Sequence, residues 1–117
     1  MSIGGDLDDF RPPAGLFLVA TLRSDPVACG GVSFHGNEPA YLKRMWVAER
    51  VRGLGLGRRL LRELELRAND AGAARVRLET NRSLGEAINL YRSAGYEEIA
   101  PFNAEPYAHH WFEKAIR

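Results

Sequence analysis

Apolar and polar positions along the chain switch between two periods. Residues 16–22 (LFLVATL), 27–34 (VACGGVSF) and 40–47 (AYLKRMWV) are short, apolar and rich in β-branched or aromatic residues, which predicts three strands. Polar turns at 23–26 and 35–39 separate them, so the first two read as a hairpin. Gly30-Gly31 inside the second strand predicts a bulge or a close backbone approach. From Leu56 to about Ala71 the period becomes helical. Leu56, Leu60, Leu61, Leu64, Ala68 and Ala71 share one face, while Arg59, Arg62, Glu63 and Arg67 point mostly outward. Asn69, Asp70 and Gly72 predict where that helix ends. Residues 75–80 (RVRLET) alternate again. A strand arriving after a crossover helix should lie parallel to the third strand. Ser83, with Glu86 three positions on, predicts a capping box that opens a second helix, and Gly95 stops it after about Ala94. Tyr96–Ile99 and Ala108–Ala115 read as closing strands around a loop at 101–106. The resulting order is β-β-β-α-β-α-β-β, an α/β chain with one mixed sheet and two helices. Residues 1–15, with Gly4-Gly5, three aspartates and Pro12-Pro13, predict a flexible lead-in, and residues 16–117 a single domain.

Composition narrows the partners. At 117 residues the chain is long enough for one core. A formal net charge of +1 offers no broad field for a nucleic acid. The arginines are nevertheless dense between Arg44 and Arg67, which suits a small anionic ligand better than a long polyanion. No apolar run approaches the length of a membrane span. The acidic, glycine-rich first residues are unlike a secretory signal. A single cysteine, Cys29, excludes an internal disulfide framework and fits the reducing cytoplasm. It sits in an apolar strand and reads as a small buried hydrophobe. No His, Cys or Asp cluster has metal-ligand spacing, so no metal is expected.

The densest chemical signal runs from Met45 to Arg59 (MWVAERVRGLGLGRR). A strand, a loop with Gly53, Gly55 and Gly57, and a helix N-terminus follow one another. Small residues admit close backbone approach, free N–H groups point outward and the helix dipole favours negative charge, so this is a phosphate site. Arg52, Arg58 and Arg59 add guanidinium groups that can fork onto phosphate oxygens. The register excludes two nucleotide motifs: Arg58 breaks G-x-G-x-x-G, and no Lys-Ser or Lys-Thr follows a glycine as a Walker loop requires.

What stands is R-x-x-G-x-G from Arg52 to Gly57, which resembles the acetyl-CoA pyrophosphate loop of the GCN5-related N-acetyltransferase (GNAT) superfamily. Leu42–Val47 is similar to that family's fourth strand. Ala87–Tyr91 followed by Arg92–Tyr96 is similar to its A-x-x-L-Y-x-x-x-G-[FY] motif. The resemblance covers roughly Leu16 to Lys114. It implies a GNAT-like mixed sheet whose central parallel pair splays at the cofactor site, with acetyl-CoA as acetyl donor. The backbone of Met45, Trp46 and Val47 would hold the pantetheine arm, and Arg52, Gly53, Leu54, Gly55, Leu56, Gly57 and Arg58 the pyrophosphate. Tyr91 would lie beside the cofactor sulfur as both cofactor contact and catalytic acid. Two departures stand out. Few residues precede the hairpin, where the family places a strand and helices that wall the acceptor pocket; the expectation is either a fragment or a short member in which a homodimer completes that pocket. Many members carry Asn seven positions before the motif tyrosine, and here that residue is Leu84.

The chemistry asks for a base, an oxyanion donor and an acid. The amide of Trp46 or Val47 is the expected oxyanion donor. Tyr91 against a thiol makes proton transfer uphill by roughly 2 kcal/mol at ordinary pKa values. Glu79, near the end of the strand facing the cleft, is the candidate base or an anchor for the substrate ammonium, with Arg44 or Arg77 as structural partners. His109 and His110 are adjacent, so they face opposite sides of a strand and cannot pair on a metal; one of them is a candidate border of the acceptor pocket. The expected function is acetyl-CoA-dependent transfer of an acetyl group to a primary amine of a small molecule or peptide, in the cytoplasm. The alternatives are a non-catalytic acyl-CoA-binding module and a domain for a different phosphate ligand.

Overall fold

The computed structural model describes residues 10–117. Strands β1 (Gly15–Leu22), β2 (Asp25–His35) and β3 (Glu38–Val47) form an antiparallel meander. A single 3-10 turn at Glu49–Val51 leads into the glycine loop and helix α1 (Leu56–Asp70). Strand β4 (Arg75–Thr80) then runs parallel to β3. Helix α2 (Gly85–Ser93) is followed by β5 (Glu97–Ile99) and β6 (His110–Ala115), which pair antiparallel. The six strands stand in the order β1-β2-β3-β4-β6-β5. This is the predicted α/β order, with strand ends moved by one or two residues.

The core forms where the two periods meet. Leu60, Leu61, Leu64 and Ala68 of α1 bury against Val32, Leu42, Val76, Leu78 and Phe112 of the sheet, joined by Tyr91 of α2 and Tyr96. Gly30 and Gly31 carry both properties expected of them. The register of β2 against β3 shifts between Cys29 and Gly31. An added Cβ at Gly30 would stand 2.6 Å from Met45 Sδ, and one at Gly31 2.8 Å from the Phe10 ring. Phe10 is accordingly buried, with its ring 6.3 Å from that of Phe17. Residues 10–14, expected to belong to the flexible lead-in, are docked by this contact and by bonds from Gly15 N to Arg11 O and from Phe34 N to Ala14 O. The remainder of that lead-in lies outside the described residues.

Two local features position the site. The pairing of β3 with β4 is confined to Ala40↔Val76 and Tyr41↔Arg77. Beyond it β3 stays with β2 as far as Val47↔Ala28, while β4 stays with β6 as far as Thr80↔His110. The parallel pair therefore opens into a wedge. At its mouth Arg44 adopts φ +59°, a left-handed conformation uncommon outside glycine, beside the β2–β3 register shift.

The expected capping box at Ser83 is not what opens α2. The N-cap is Leu84, with no side-chain cap bond. Asn81 instead orders the turn before the helix: its Oδ1 accepts from Ser83 N at 2.9 Å and its Nδ2 donates to Tyr107 O at 2.8 Å. The helix ends as predicted, with Gly95 at φ +97°.

Candidate functional site

The glycine loop has the form a phosphate site needs. Gly53 and Gly55 sit at φ +85° and +81°, with open space where a Cβ would be. Gly55 caps α1, and the first bond of that helix runs from Arg59 N to Gly55 O. The amides of Gly55, Leu56, Gly57 and Arg58 are thus left without a backbone acceptor among the described residues and lie at the positive end of the helix dipole. Gly57 is small for a different reason: an added Cβ would lie 3.2 Å from Val47 Cγ2 and 3.3 Å from Leu90 Cδ2, so the glycine lets α1 close onto β3 and α2.

The arginines behave less simply than expected. Arg52 Nε donates to Val47 O at 3.2 Å and stands 3.5 Å from Glu86 Oε2. Arg58 reaches α2, donating to Ser93 O at 3.3 Å and Ser93 Oγ at 2.5 Å. Its guanidinium is a strut between helices, and what it turns toward the loop is its backbone amide.

Two cavities open at the wedge. One, of about 500 Å³, runs along the glycine loop and is lined by Met45, Trp46, Val47, Arg52, Gly55 and Tyr91 among others. Leu54, the remaining residue of the expected loop, is strongly exposed beside it. The second, of about 620 Å³, is lined by Lys43, Arg44, Glu79, Glu105, Tyr107 and Tyr91 among others. Leu78 and Glu79 are consecutive in a strand and so face opposite sides of the sheet, yet both line this second cavity. The space therefore passes through the gap between β3 and β4. The two cavities share Met45, Leu84, Ala87 and Tyr91. The unpaired edge of β3 at Met45–Val47 faces the same gap.

Tyr91 and Glu79 stand on either side of this junction. Tyr91 is almost wholly buried against Tyr96 and Phe112, with ring centroids at 5.8 and 6.1 Å. Burial first, and then the charge of Glu79, push its phenol up to about 12. Glu79 is buried too, and its Oε1 accepts from Tyr41 OH and from Asn103 Nδ2, the latter at 2.6 Å. Asn103 is held in turn by Trp111 Nε1, which donates to its Oδ1 at 2.9 Å. Indole N–H is a donor only, so this bond fixes which end of the amide faces Glu79. Burial and Glu79 also raise Tyr41 well above the usual phenol range, and burial with Glu79 and Glu105 pushes Tyr107 up to about 12. Arg77, one of the partners expected for Glu79, instead lays its guanidinium over the Phe102 ring at 4.4 Å.

The histidines stand away from the cavities. His109 Nδ1 accepts from Arg82 N at 3.2 Å, and His110 pairs with Glu98 at 2.7 Å while stacking on Phe112. Neither lines the cavity of Glu79, although one of them was a candidate border of an acceptor pocket. Cys29 is half-buried, its Sγ 3.6 Å from Arg44 O, and burial raises its thiol. Tyr41, Asn103, Tyr107 and Trp111 complete the site, and none of them was expected as a partner of Glu79.

Comparison with known proteins now decides the family. A model described as an acetyltransferase (GNAT) domain matches residues 13–98. The chain belongs to the GNAT acetyltransferase family. It is 38% identical over 99 residues to IAA acetyltransferase from Azospirillum brasilense, covering 83% of this chain and 64% of that protein. It is 33% identical over 100 residues to an uncharacterized N-acetyltransferase of Schizosaccharomyces pombe, covering 83% and 61%. The chain thus spans about three fifths of the length of these relatives. Among GNAT structures, a putative acyl-CoA N-acyltransferase from Klebsiella pneumoniae superposes with a TM-score of 0.83 at 28% identity, covering 96% of this chain and 79% of that one. An aminoglycoside 6'-N-acetyltransferase complexed with coenzyme A superposes with a TM-score of 0.77 at 17% identity, covering 97% and 79%, a likeness of fold alone.

Proposed function

We propose that this GNAT chain is an acetyl-CoA-dependent N-acetyltransferase that passes the acetyl group directly to a primary amine. The observation that carries the reading is the meeting of the two cavities at Met45 and Tyr91, one lined by the glycine loop and the other by carboxylates. Acetyl-CoA supplies an acetyl group on a thioester. The unpartnered amides of Gly55–Arg58 suit its pyrophosphate. The free edge of β3 at Met45–Val47 suits the amide arm and, through Trp46 or Val47 N–H, the thioester oxygen. Glu79 anchors the incoming ammonium and accepts its proton. A reducing cytoplasm suits the single half-buried thiol, and a second copy of the chain across the open acceptor cavity would shield it from water.

The environment of Tyr91 refines its role. At a pKa of about 12, complete proton transfer to a thiolate of ordinary basicity is uphill by about 5 kcal/mol, not roughly 2. Tyr91 therefore acts by hydrogen-bonding to the sulfur as charge develops there, and keeps its proton throughout the physiological range. The test follows free thiol from acetyl-CoA in the presence of a panel of amines. Amine-dependent release that falls about 10- to 100-fold in Tyr91→Phe supports the assignment. Full activity in that variant removes Tyr91 from the mechanism. Acetyl-CoA should also stabilise the wild-type chain, by about 2.7 kcal/mol at a hundred times Kd; no shift in melting temperature sinks the whole reading.

A further inference from the structure

The two walls of the acceptor cavity carry opposite charge. Lys43 and Arg44 come from β3, Glu79 comes from β4, and Glu105 from the loop that leads to β6. The groups share one space: the Tyr107 hydroxyl feels Glu79, Glu105 and Arg44 together. Arg44 reaches this position through a left-handed backbone, φ +59° in a strand. Such strain persists in a residue with a Cβ only where the surroundings impose it, and it collects at functional sites. Here it falls next to Met45, one of the residues that line both cavities.

We infer that the acceptor is a small zwitterionic amine, one carrying a carboxylate a few bonds from the reacting nitrogen, as a free α-amino acid does. This rests on the transferase reading above. Glu79 takes the ammonium on the β4 wall, and Arg44 takes the carboxylate on the β3 wall through a charge-assisted bond. Lys43 adds a second positive charge to the same wall. A diamine or a polycationic acceptor would set its second ammonium against Arg44 and Lys43, a like-charge contact that discriminates against it. A simple alkylamine would leave the Arg44 guanidinium without the carboxylate. The cavity of about 620 Å³ accepts an amino acid with a large side chain.

The test measures amine-dependent thiol release from acetyl-CoA with a matched set: the common amino acids, the carboxamide of each, an alkylamine of the same carbon skeleton, and putrescine. The preferred amino acid should exceed its own amide at least about tenfold in kcat/KM, with putrescine weaker still. Arg44→Asn removes the charge while tolerating the left-handed backbone. It should collapse the acid-to-amide ratio toward one by raising KM for the acid, and Arg44→Lys should restore part of it. A thermal shift with acetyl-CoA verifies that both variants are folded. Amides or putrescine turned over as well as the acids, or a ratio unchanged in Arg44→Asn, overturns the inference and leaves the transferase standing. Release with no amine at all overturns both.

Discussion

In the proposed transfer Glu79 receives an amine, so it has to be held without being used up. Tyr41 and Asn103 both donate to Glu79 Oε1, and Trp111 pins the Asn103 amide from behind. The rigidity comes from the far end of the chain of bonds, where the Trp111 donor cannot reverse its polarity. Asn103→Ala should therefore lower kcat for amine transfer about tenfold with the KM for acetyl-CoA unmoved, since Asn103 lines neither end of the cofactor cavity. Trp111→Phe keeps an aromatic ring but loses the N–H, so its effect should have the same sign and be smaller. Steady-state kinetics of both variants decide the matter, and wild-type kcat in Asn103→Ala would show that the network is only packing. None of this was legible locally. Asn103 and Glu79 are 24 positions apart and Tyr41 and Glu79 are 38 apart, and a polar loop rich in Asn, Glu and Tyr reads the same whether or not it touches a buried acid.

Elements were more legible than contacts, because their signals are periodic. The helical stripe of Leu60, Leu61, Leu64 and Ala68 lands on the sheet as the pattern requires, and Gly30-Gly31 marks the shift in register. The start of α2 failed for a physical reason. Ser83 stands one residue before the N-cap Leu84, and its own amide is taken up in the turn that leads to the helix. Asn81 orders that turn because its two ends are both used, one on Ser83 N and the other on Tyr107 O. Ser83→Ala should thus change stability by less than about 0.5 kcal/mol, whereas Asn81→Ala should cost about 1–2 kcal/mol. Denaturant titration separates them, and equal losses would restore the capping box. Asn81 also ties α2 to the loop bearing Tyr107, so its removal should raise the KM for the amine.

At the scale of the whole molecule, the strand order could be inferred because one crossover helix forces β4 parallel to β3, yet the wedge was implied only by the family resemblance. Where two parallel strands part depends on which neighbour each prefers, and here β2 and β6 win beyond Tyr41 and Arg77. The same packing buries phenols, which gives the molecule a pH limit. Tyr91 and Tyr96 are nearly inaccessible; burial pushes Tyr91 up to about 12, and burial with Glu65 carries Tyr96 higher still. In the unfolded chain both ionise near 10. Below pH 10 both states hold these protons and stability does not depend on them. Between about 10 and 12 the unfolded chain loses them and the folded one does not, so the unfolded state binds fewer protons and stability falls as pH rises. Each tyrosine contributes a slope approaching about 1.4 kcal/mol per pH unit, so the pair consumes several of the roughly 5–15 kcal/mol a domain has. The melting temperature should fall gently from pH 8 to about 9.5, as the raised Cys29 thiol ionises only in the unfolded chain, and then drop steeply, with phenolate absorbance appearing together with unfolding. Tyr96→Phe loses the bond to Glu65 and starts less stable, but its descent above pH 10 should be shallower by one phenol's share, about 1.4 kcal/mol per pH unit, because Tyr41, Tyr91 and Tyr107 still titrate late. A melting temperature flat to pH 12, or phenolate forming well ahead of unfolding, would mean these hydroxyls are open to solvent, and with them the environment assigned to Tyr91.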